Sequence, residues 1–446
     1  MNEERILGYG NDEVIKMWDR AILHADINHC YAQIEEVRNS KLAKVPMAVG
    51  GHEESRHGII LAKNDLAKKY RIKTGEALRD AYKKCPHLTI IHPDYDLYLS
   101  ISEQVKDIYR RYSDKVEAFG LDEAWIDVTH SQTLFGDPIE IARKIRMEVY
   151  RELGLTISIG ISFNKVFAKI ASDMDKHHGV AVITSENYQE RLWCLPIEAM
   201  FYVGRATAVK LRARGIGTIR QLANTQKLYL KSFLGKPGEW IWEFANGLDD
   251  SEVAKSQQQP MIKSVGNSIT AIHDLETLEE LKMVFRVLSE SVAARLRQLN
   301  KKGSVVSIYL RTNEFDCCSR QIKSDYLIDT SDAIMECVDH LLQAHLSLKS
   351  DGTFEEAYRS VGVVVSKLQK DEHKIQLSLF ENENRTMHNR DLEETIEKIR
   401  EKYGSDKIKR CIMIKDEKLT GFDPRNDHVI HPVGFFGYSD SSHKTG

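Results

Sequence analysis

Apolar and polar positions along the chain fall into blocks whose periods define elements. Ala21-Ile22-Leu23-His24-Ala25 is an apolar run that ends at Asp26, and it reads as a short buried strand delivering a carboxylate to its end. A helix is expected from about Tyr31, with Ile34 and Val37 inward. The stretch Phe119–Val128 is rich in aromatic and β-branched residues and reads as one strand. Asp137-Pro138 supplies an N-cap and a first-turn proline. Ala142, Ile145, Val149 and Leu153 then follow at helical spacing, and Gly154 is the stop. Leu155, Ile157, Ile159 and Ile161 alternate as a strand does. Strand, helix and strand in this order predict an α+β sheet with helices on one face.

Further on, Asn164–Lys176 places Val166, Phe167, Ile170, Ala171 and Met174 on one side of a helix. From Leu195 to Gly215 the pattern is helical, with a short turn at Val203-Gly204. Polar, glutamine-rich residues 249–260 read as a linker. A second α+β domain follows. Its helix Leu278–Leu299 turns Leu281, Phe285, Leu288 and Leu299 inward, its strand is Val305–Leu310, and a polar break at Asp371–Lys374 ends it.

Composition sets bounds. The 446 residues allow about three domains at roughly 150 each. No apolar run approaches the roughly 18 residues of a membrane span, and Met1–Arg20 lacks signal-peptide order. Seven cysteines, none in a C-x-x-C pair, argue against a disulfide framework or structural zinc. A reduced, cytoplasmic compartment is expected. The formal charge is −3, yet basic residues cluster: Arg205, Lys210, Arg212, Arg214 and Arg220 stand without an acidic neighbour between them. A polyanion responds to such local clusters rather than to the total.

Asp26, Asp122 and Glu123 lie in or beside apolar strands, where an unpaired carboxylate is costly. A carboxylate set without His or Cys suits hard ions such as Mg²⁺ or Mn²⁺. Two such ions roughly 4 Å apart serve phosphoryl transfer. Neighbours on a straight strand point to opposite faces, so Asp122 and Glu123 share a site only if the chain bends there, which Gly120 permits. The alternative is that one carboxylate caps a turn and the other pairs with a base. Lys165, Lys169 and Lys176 form a stripe that suits a triphosphate or DNA phosphate, or is simply a solvated face. Met200–Ala208 suits a helix-hairpin-helix in which Gly204, Arg205 and Lys210 meet a DNA phosphate. Tyr202 stands there in place of the first of the usual two glycines, and an ordinary αα-hairpin is the other reading. Gln376-Leu377-Ser378-Leu379-Phe380 is either a final strand edge or a short partner-binding motif.

With these residues in hand, the chain resembles the Y-family translesion DNA polymerases of the DinB (DNA polymerase IV) branch. The matching stretches are Asp26–Glu36, Leu121–Ala124, Gly160–Met174 and Lys263–Gly266, in family order. The resemblance implies a right-hand polymerase: a ferredoxin-like palm (20–29 with 95–183), small fingers (30–94), a helical helix-hairpin-helix thumb (184–250), a linker (251–261) and an α+β little finger (262–370). Residues 1–19 and 371–446 are extensions, the latter carrying a motif at 376–380 that resembles a sliding-clamp peptide. By position, Asp26, Asp122, Glu123 and the Ile27 carbonyl match metal ligands for two Mg²⁺ ions, with Mn²⁺ as an alternative. Tyr31 matches the steric gate against a ribose 2′-OH. His29, Lys68 and Lys176 match nucleotide-binding positions, and Gln376, Leu377, Leu379 and Phe380 the clamp contacts. Asn28 replaces a common aspartate, and Ala62, Asp65 and Lys68 stand where the family often carries Thr, Tyr and Arg.

The implied activity is template-directed addition of dNTPs to a primer 3′-hydroxyl, distributive, error-prone and without proofreading, in translesion synthesis during DNA repair. The expected partners are primer-template DNA, dNTPs and a sliding clamp, with no membrane, for a monomeric protein. A catalytically weak adaptor of the same fold, or another palm-type enzyme such as a nucleotidyl cyclase, are the alternatives.

Overall fold

A computed structural model describes residues 18–51, 58–174, 179–258, 261–370, 383–404 and 407–422. These residues divide into two compact units that meet in sequence near residue 260.

The first unit is built on a five-stranded sheet. Its strands are β1 (Ile22–Ile27), β5 (Val116–Phe119), β6 (Glu123–Asp127), β7 (Ile157–Ser162) and β8 (Val180–Ile183), in the order β5-β6-β1-β7-β8. A smaller sheet pairs β2 (Met47–Gly50) with β3 (Ile60–Lys63) and β4 (Thr89–Ile91). Alternation sorts the side chains of β1 into two cores. Leu23, Ala25 and Ile27 join Ala124, Ile126 and the inner faces of helices Tyr95–Arg110 and Pro138–Leu153. Ile22 joins Trp125, the helix Lys165–Met174 and the helical segment that follows, including Leu211, Leu222 and Phe244.

Local chemistry sets the boundaries. Asp137 accepts from the amides of Ile139 and Glu140, Pro138 opens the helix, and Gly154 closes it in the left-handed conformation at φ 71°. The helix Lys165–Met174 lies tight on β7 because position 160 is glycine: a Cβ there would lie 2.0 Å from the Ala168 carbonyl oxygen.

Several expected features differ. Phe119–Val128 is not one strand but a hairpin, β5 and β6, turning through Gly120 at φ 82°. Val37 is half exposed in the last turn of the helix Cys30–Arg38, lying over Gly154, which has no side chain to cover it. Of the helical pattern expected from Leu195, the part before residue 205 is a 3₁₀ turn, Ile197–Ala199, while the helix Arg205–Arg212 is present. Residues 251–256, expected as linker, are docked onto the first unit. Val253 and Ala254 are buried, the Ala254 amide donates to Glu117 and the Ser256 amide to the Asp114 carbonyl. The Glu117 carboxylate supplies the partner that the polar composition did not reveal.

The second unit is a sheet ordered β11-β10-β12-β9, from β9 (Ser264–Thr277), β10 (Lys301–Thr312), β11 (Cys317–Ile328) and β12 (Thr353–Ser366). β13 (Gln369–Lys370) pairs with the start of β10. Helices Leu278–Gln298 and Ser331–His345 share its core. Leu299 falls outside that core because the helix ends at Gln298. The C-terminal helix Glu383–Tyr403 is held on this unit by charge: Arg297 pairs with Glu393 at 2.7 Å and with Glu397, and Arg400 with Glu290 at 2.8 Å. Leu392 and Tyr403 on that helix are exposed, while Ile396 and Ile399 between them are half-buried. No helix among the described residues is long and apolar enough to cross a membrane.

Candidate active site

Asp26 is the last residue but one of β1, the middle strand of the larger sheet, and its register partner on β6 is Glu123. Register partners share a face with Cβ atoms about 4.5–5.5 Å apart, so the two carboxylates stand side by side. Asp122 reaches the same edge differently. It lies in the hairpin loop, where its backbone carbonyl accepts from the Ile27 amide at 2.9 Å. A loop residue is not bound by strand alternation, which removes the geometric objection to pairing it with Glu123.

The loop is fixed from the helix Tyr95–Arg110. Ser102 Oγ donates to the Leu121 carbonyl at 2.5 Å, and Lys106 Nζ donates to Ser102 Oγ and to the Gly120 carbonyl. Lys106 carries positive charge into this edge, and burial lowers its pKa.

Glu123 is held from behind by the helix Lys165–Met174. Lys169 Nζ donates to its Oε2, and the Lys169 ammonium lies 5.1 Å from the Phe119 ring and 5.8 Å from that of Phe201. His24, on the same face of β1, meets Ser172 Oγ through Nδ1 at 2.8 Å. Its Nε2 is 3.4 Å from Glu123 Oε2, longer than a well-formed hydrogen bond. Burial pushes the Glu123 pKa upward, but the contacts with His24 and Lys169 outweigh it and hold it down to about 2. Burial dominates at His24 and lowers its pKa, so the ring is neutral near pH 7.

The donor chemistry fits a hard divalent cation: carboxylate oxygens at one strand edge, with a cation already drawn to one of them. As placed, no three His, Cys, Asp or Glu side chains among the described residues converge on a common point. Glu123 is bonded to Lys169, and its register partner Asp26 lies on the same face of the sheet.

Tyr31 opens the adjoining helix Cys30–Arg38. Its ring stacks on Tyr98 at 4.5 Å and meets Tyr95 edge-on at 6.2 Å, while Tyr98 donates its hydroxyl to buried Glu35 at 2.8 Å. His29 caps that helix at φ 37°, with Nε2 3.6 Å from Glu36, whose other oxygen accepts from Asn64. Asn28 makes amide contacts: it accepts from Ser158 Oγ and donates to Thr156 Oγ1. Lys68 and Asp65 are exposed on the short helix Asp65–Lys69, where Asn64 is the N-cap.

Two of the three stripe lysines are paired within the protein. Lys165 is 2% exposed, paired with Glu117 at 2.7 and 2.8 Å, and is not presented to a phosphate. Lys169 turns to Glu123 instead of outward. Lys176 and Gln376, Leu377, Leu379 and Phe380 lie outside the described residues. Gly204 and Arg205 are exposed at the start of the helix Arg205–Arg212 and Lys210 is exposed in its last turn; nothing lies within 4 Å of a Cβ added at Gly204. Tyr202 takes the left-handed conformation its glycine-like position demands, at φ 69°, and its ring packs against Phe201, Trp240 and Phe244. Arg212 is committed to Glu198 through two bonds of 2.7 Å. Sequence reasoning missed His24, Ser102, Lys106 and Ser172. Only His24 gave a signal, as the one polar residue inside an apolar run.

Comparison with known proteins decides the family. Residues 25–173 match the impB/mucB/samB family and residues 262–379 match the impB/mucB/samB family C-terminal domain. The DNA polymerase IV of Acetivibrio thermocellus is 41% identical over 401 residues, 90% of this chain and 99% of the relative. That of Alkaliphilus oremlandii is 35% identical over 88% and 98% of the two chains. The chain belongs to the Y family of translesion DNA polymerases, in the DNA polymerase IV branch. The polymerase shares its multidomain α+β fold with a solved Y-family DNA polymerase chimera, at TM-score 0.67 and 22% identity over 78% of this chain and 99% of that one. It is a DNA-directed DNA polymerase, and enzymes of this family depend on divalent metal ions.

Proposed function

We propose that the polymerase extends a primer 3′-hydroxyl with dNTPs on damaged templates at the edge formed by Asp26, Asp122 and Glu123. The observation that carries this is the register pairing of Asp26 with Glu123 beside the hairpin loop that holds Asp122. These three carboxylates and the Ile27 carbonyl would hold two Mg²⁺ ions. The ions would supply Lewis-acid activation of the 3′-hydroxyl and neutralise the triphosphate and leaving pyrophosphate. Tyr31 stands as the steric gate: its ring is braced by Tyr98 and Tyr95, so it presents a fixed wall to the sugar. His29, Lys68 and Lys176 are assigned to the triphosphate. Gly204, Arg205 and Lys210 are assigned to a backbone phosphate, an arrangement that positions DNA without reading sequence.

The assignment of palm (20–29, 95–183), fingers (30–94), thumb (184–250) and little finger (262–370) follows the same reading. Val253 and Ala254 are assigned to the body of the first unit rather than to the linker. Gln376, Leu377, Leu379 and Phe380 are proposed to bind a sliding clamp, and the enzyme to act as a distributive monomer without proofreading. Strong 3′→5′ degradation by the pure chain would refute that last point.

The test is extension of a labelled primer on undamaged and abasic templates with Mg²⁺. Asp122→Ala is expected to lose roughly 10²–10³-fold in rate while retaining DNA binding, as removal of a transition-state charge stabiliser does. Equal rates for the two proteins would remove Asp122 from the site.

A further inference from the structure

We propose that the Lys169 ammonium is a resident counter-ion that holds Glu123 in the ion-free polymerase and competes with the divalent ion for it. The inference rests on the reading of Asp26, Asp122 and Glu123 as ion ligands and adds a residue to that site.

Three observations carry it. Lys169 bonds directly to Glu123, so that in the structure the carboxylate read as an ion ligand is already engaged by an ammonium. The ammonium is only 15% exposed, yet its remaining surroundings include the faces of Phe119 and Phe201 rather than a second carboxylate. Aromatic faces attract a cation more weakly than a carboxylate does, so the lysine has a place to rest once Glu123 is withdrawn. Finally, the pair lies at the strand edge, not in the sealed core.

The arrangement also accounts for how a carboxylate cluster persists before any ion arrives. Like charges packed together oppose folding, and one ammonium offsets that repulsion. When a divalent ion binds, the ion pair to Lys169 is exchanged for a stronger one. The binding free energy of the ion is therefore reduced by whatever the lysine contact was worth. Lys169 is on this account a positioning residue, acting on the reaction through Glu123.

The experiment titrates Mn²⁺ into the full chain without DNA or nucleotide and follows free Mn²⁺ by electron paramagnetic resonance. Wild type, Lys169→Met, Lys169→Arg and Asp122→Ala are compared, with thermal melts of each in the presence and absence of Mn²⁺. Lys169→Met is expected to bind Mn²⁺ roughly tenfold more tightly, the factor that corresponds to about 1.4 kcal/mol of competition removed. Its melting temperature without metal should fall below wild type, and saturating Mn²⁺ should close the gap. Lys169→Arg should resemble wild type. In primer extension, the Mg²⁺ concentration giving half-maximal rate should fall for Lys169→Met. Unchanged or weaker Mn²⁺ binding by Lys169→Met overturns the proposal. If Asp122→Ala weakens Mn²⁺ binding in that same experiment, only the competition fails. If Asp122→Ala also leaves binding unchanged, the ligand reading fails with it.

Discussion

Lys165 and Lys169 sit one turn apart on the same helix, each paired with a glutamate of the larger sheet and each near an aromatic ring. The resemblance ends with solvent. Lys165 and Glu117 are both 2% exposed, and the pair is completed by the Ala254 amide donating to Glu117 and by the Trp125 ring 4.6 Å from the ammonium. Lys169 and Glu123 are 15% and 22% exposed, at the open edge beside Asp26. A sealed pair with every donor matched has no reason to move and fixes residues 252–254 to the sheet. A pair at an open edge can exchange its cation. The same two residue types thus serve as a fastener in one place and as part of the candidate site in the other.

The largest expected effect lies in the sealed pair. Lys165→Met leaves Glu117 buried without its counter-charge and should cost about 3–5 kcal/mol in urea unfolding. The double change Lys165→Met, Glu117→Leu should recover much of that loss, since the pair's removal as a whole is far less costly than breaking it. A small effect of the single change would mean that the site is not sealed.

Acid should separate the two pairs next. The Glu123 pKa is held down to about 2, below the ordinary 4.5, so its contribution is present above about pH 4.5 and is lost as pH falls toward 2. That contribution is on the order of 3 kcal/mol. Melting temperatures across this interval should therefore fall less steeply for Lys169→Met than for wild type. His24, whose pKa burial lowers, adds loss of stability below its ordinary value of 6.5, because protonation favours the unfolded chain. His24→Ala should flatten the curve below about pH 6.5 in the same melts.

Size discriminates last. Lys165→Arg forces a larger head into a filled core and should cost about 1–3 kcal/mol. Lys169→Arg, at the open edge, should stay within about 0.5 kcal/mol. Equal costs would erase the distinction between the two pairs.

Much of the site was legible because its signals are local. Asp26 at the end of an apolar run, the helix framed by Asp137-Pro138 and Gly154, and the family stretches all depend on neighbours in sequence. Glycine at 120 announced a bend beside Asp122, though not that the bend is a full hairpin turn. Partnership was not legible where it is distant. Glu117 lies 48 residues from Lys165, and Ser172 lies 148 from His24. An i, i+4 lysine pattern is the same whether the helix face meets water or a sheet, so the sequence did not show that Lys165 and Lys169 pair with Glu117 and Glu123.

By itself, the sequence determined the strand that carries Asp26, the helix between Asp137 and Gly154 with the strand after it, and the family to which the motifs belong, because periodicity and capping are short-range physics. Only the tertiary structure decided which charges meet. Glycine at 160 let the helix Lys165–Met174 close on the sheet, and that approach sealed Lys165 against Glu117 while leaving Lys169 at the edge with Glu123. Burial then set what each charge does, since the cost of an unpaired ion depends on the water left around it.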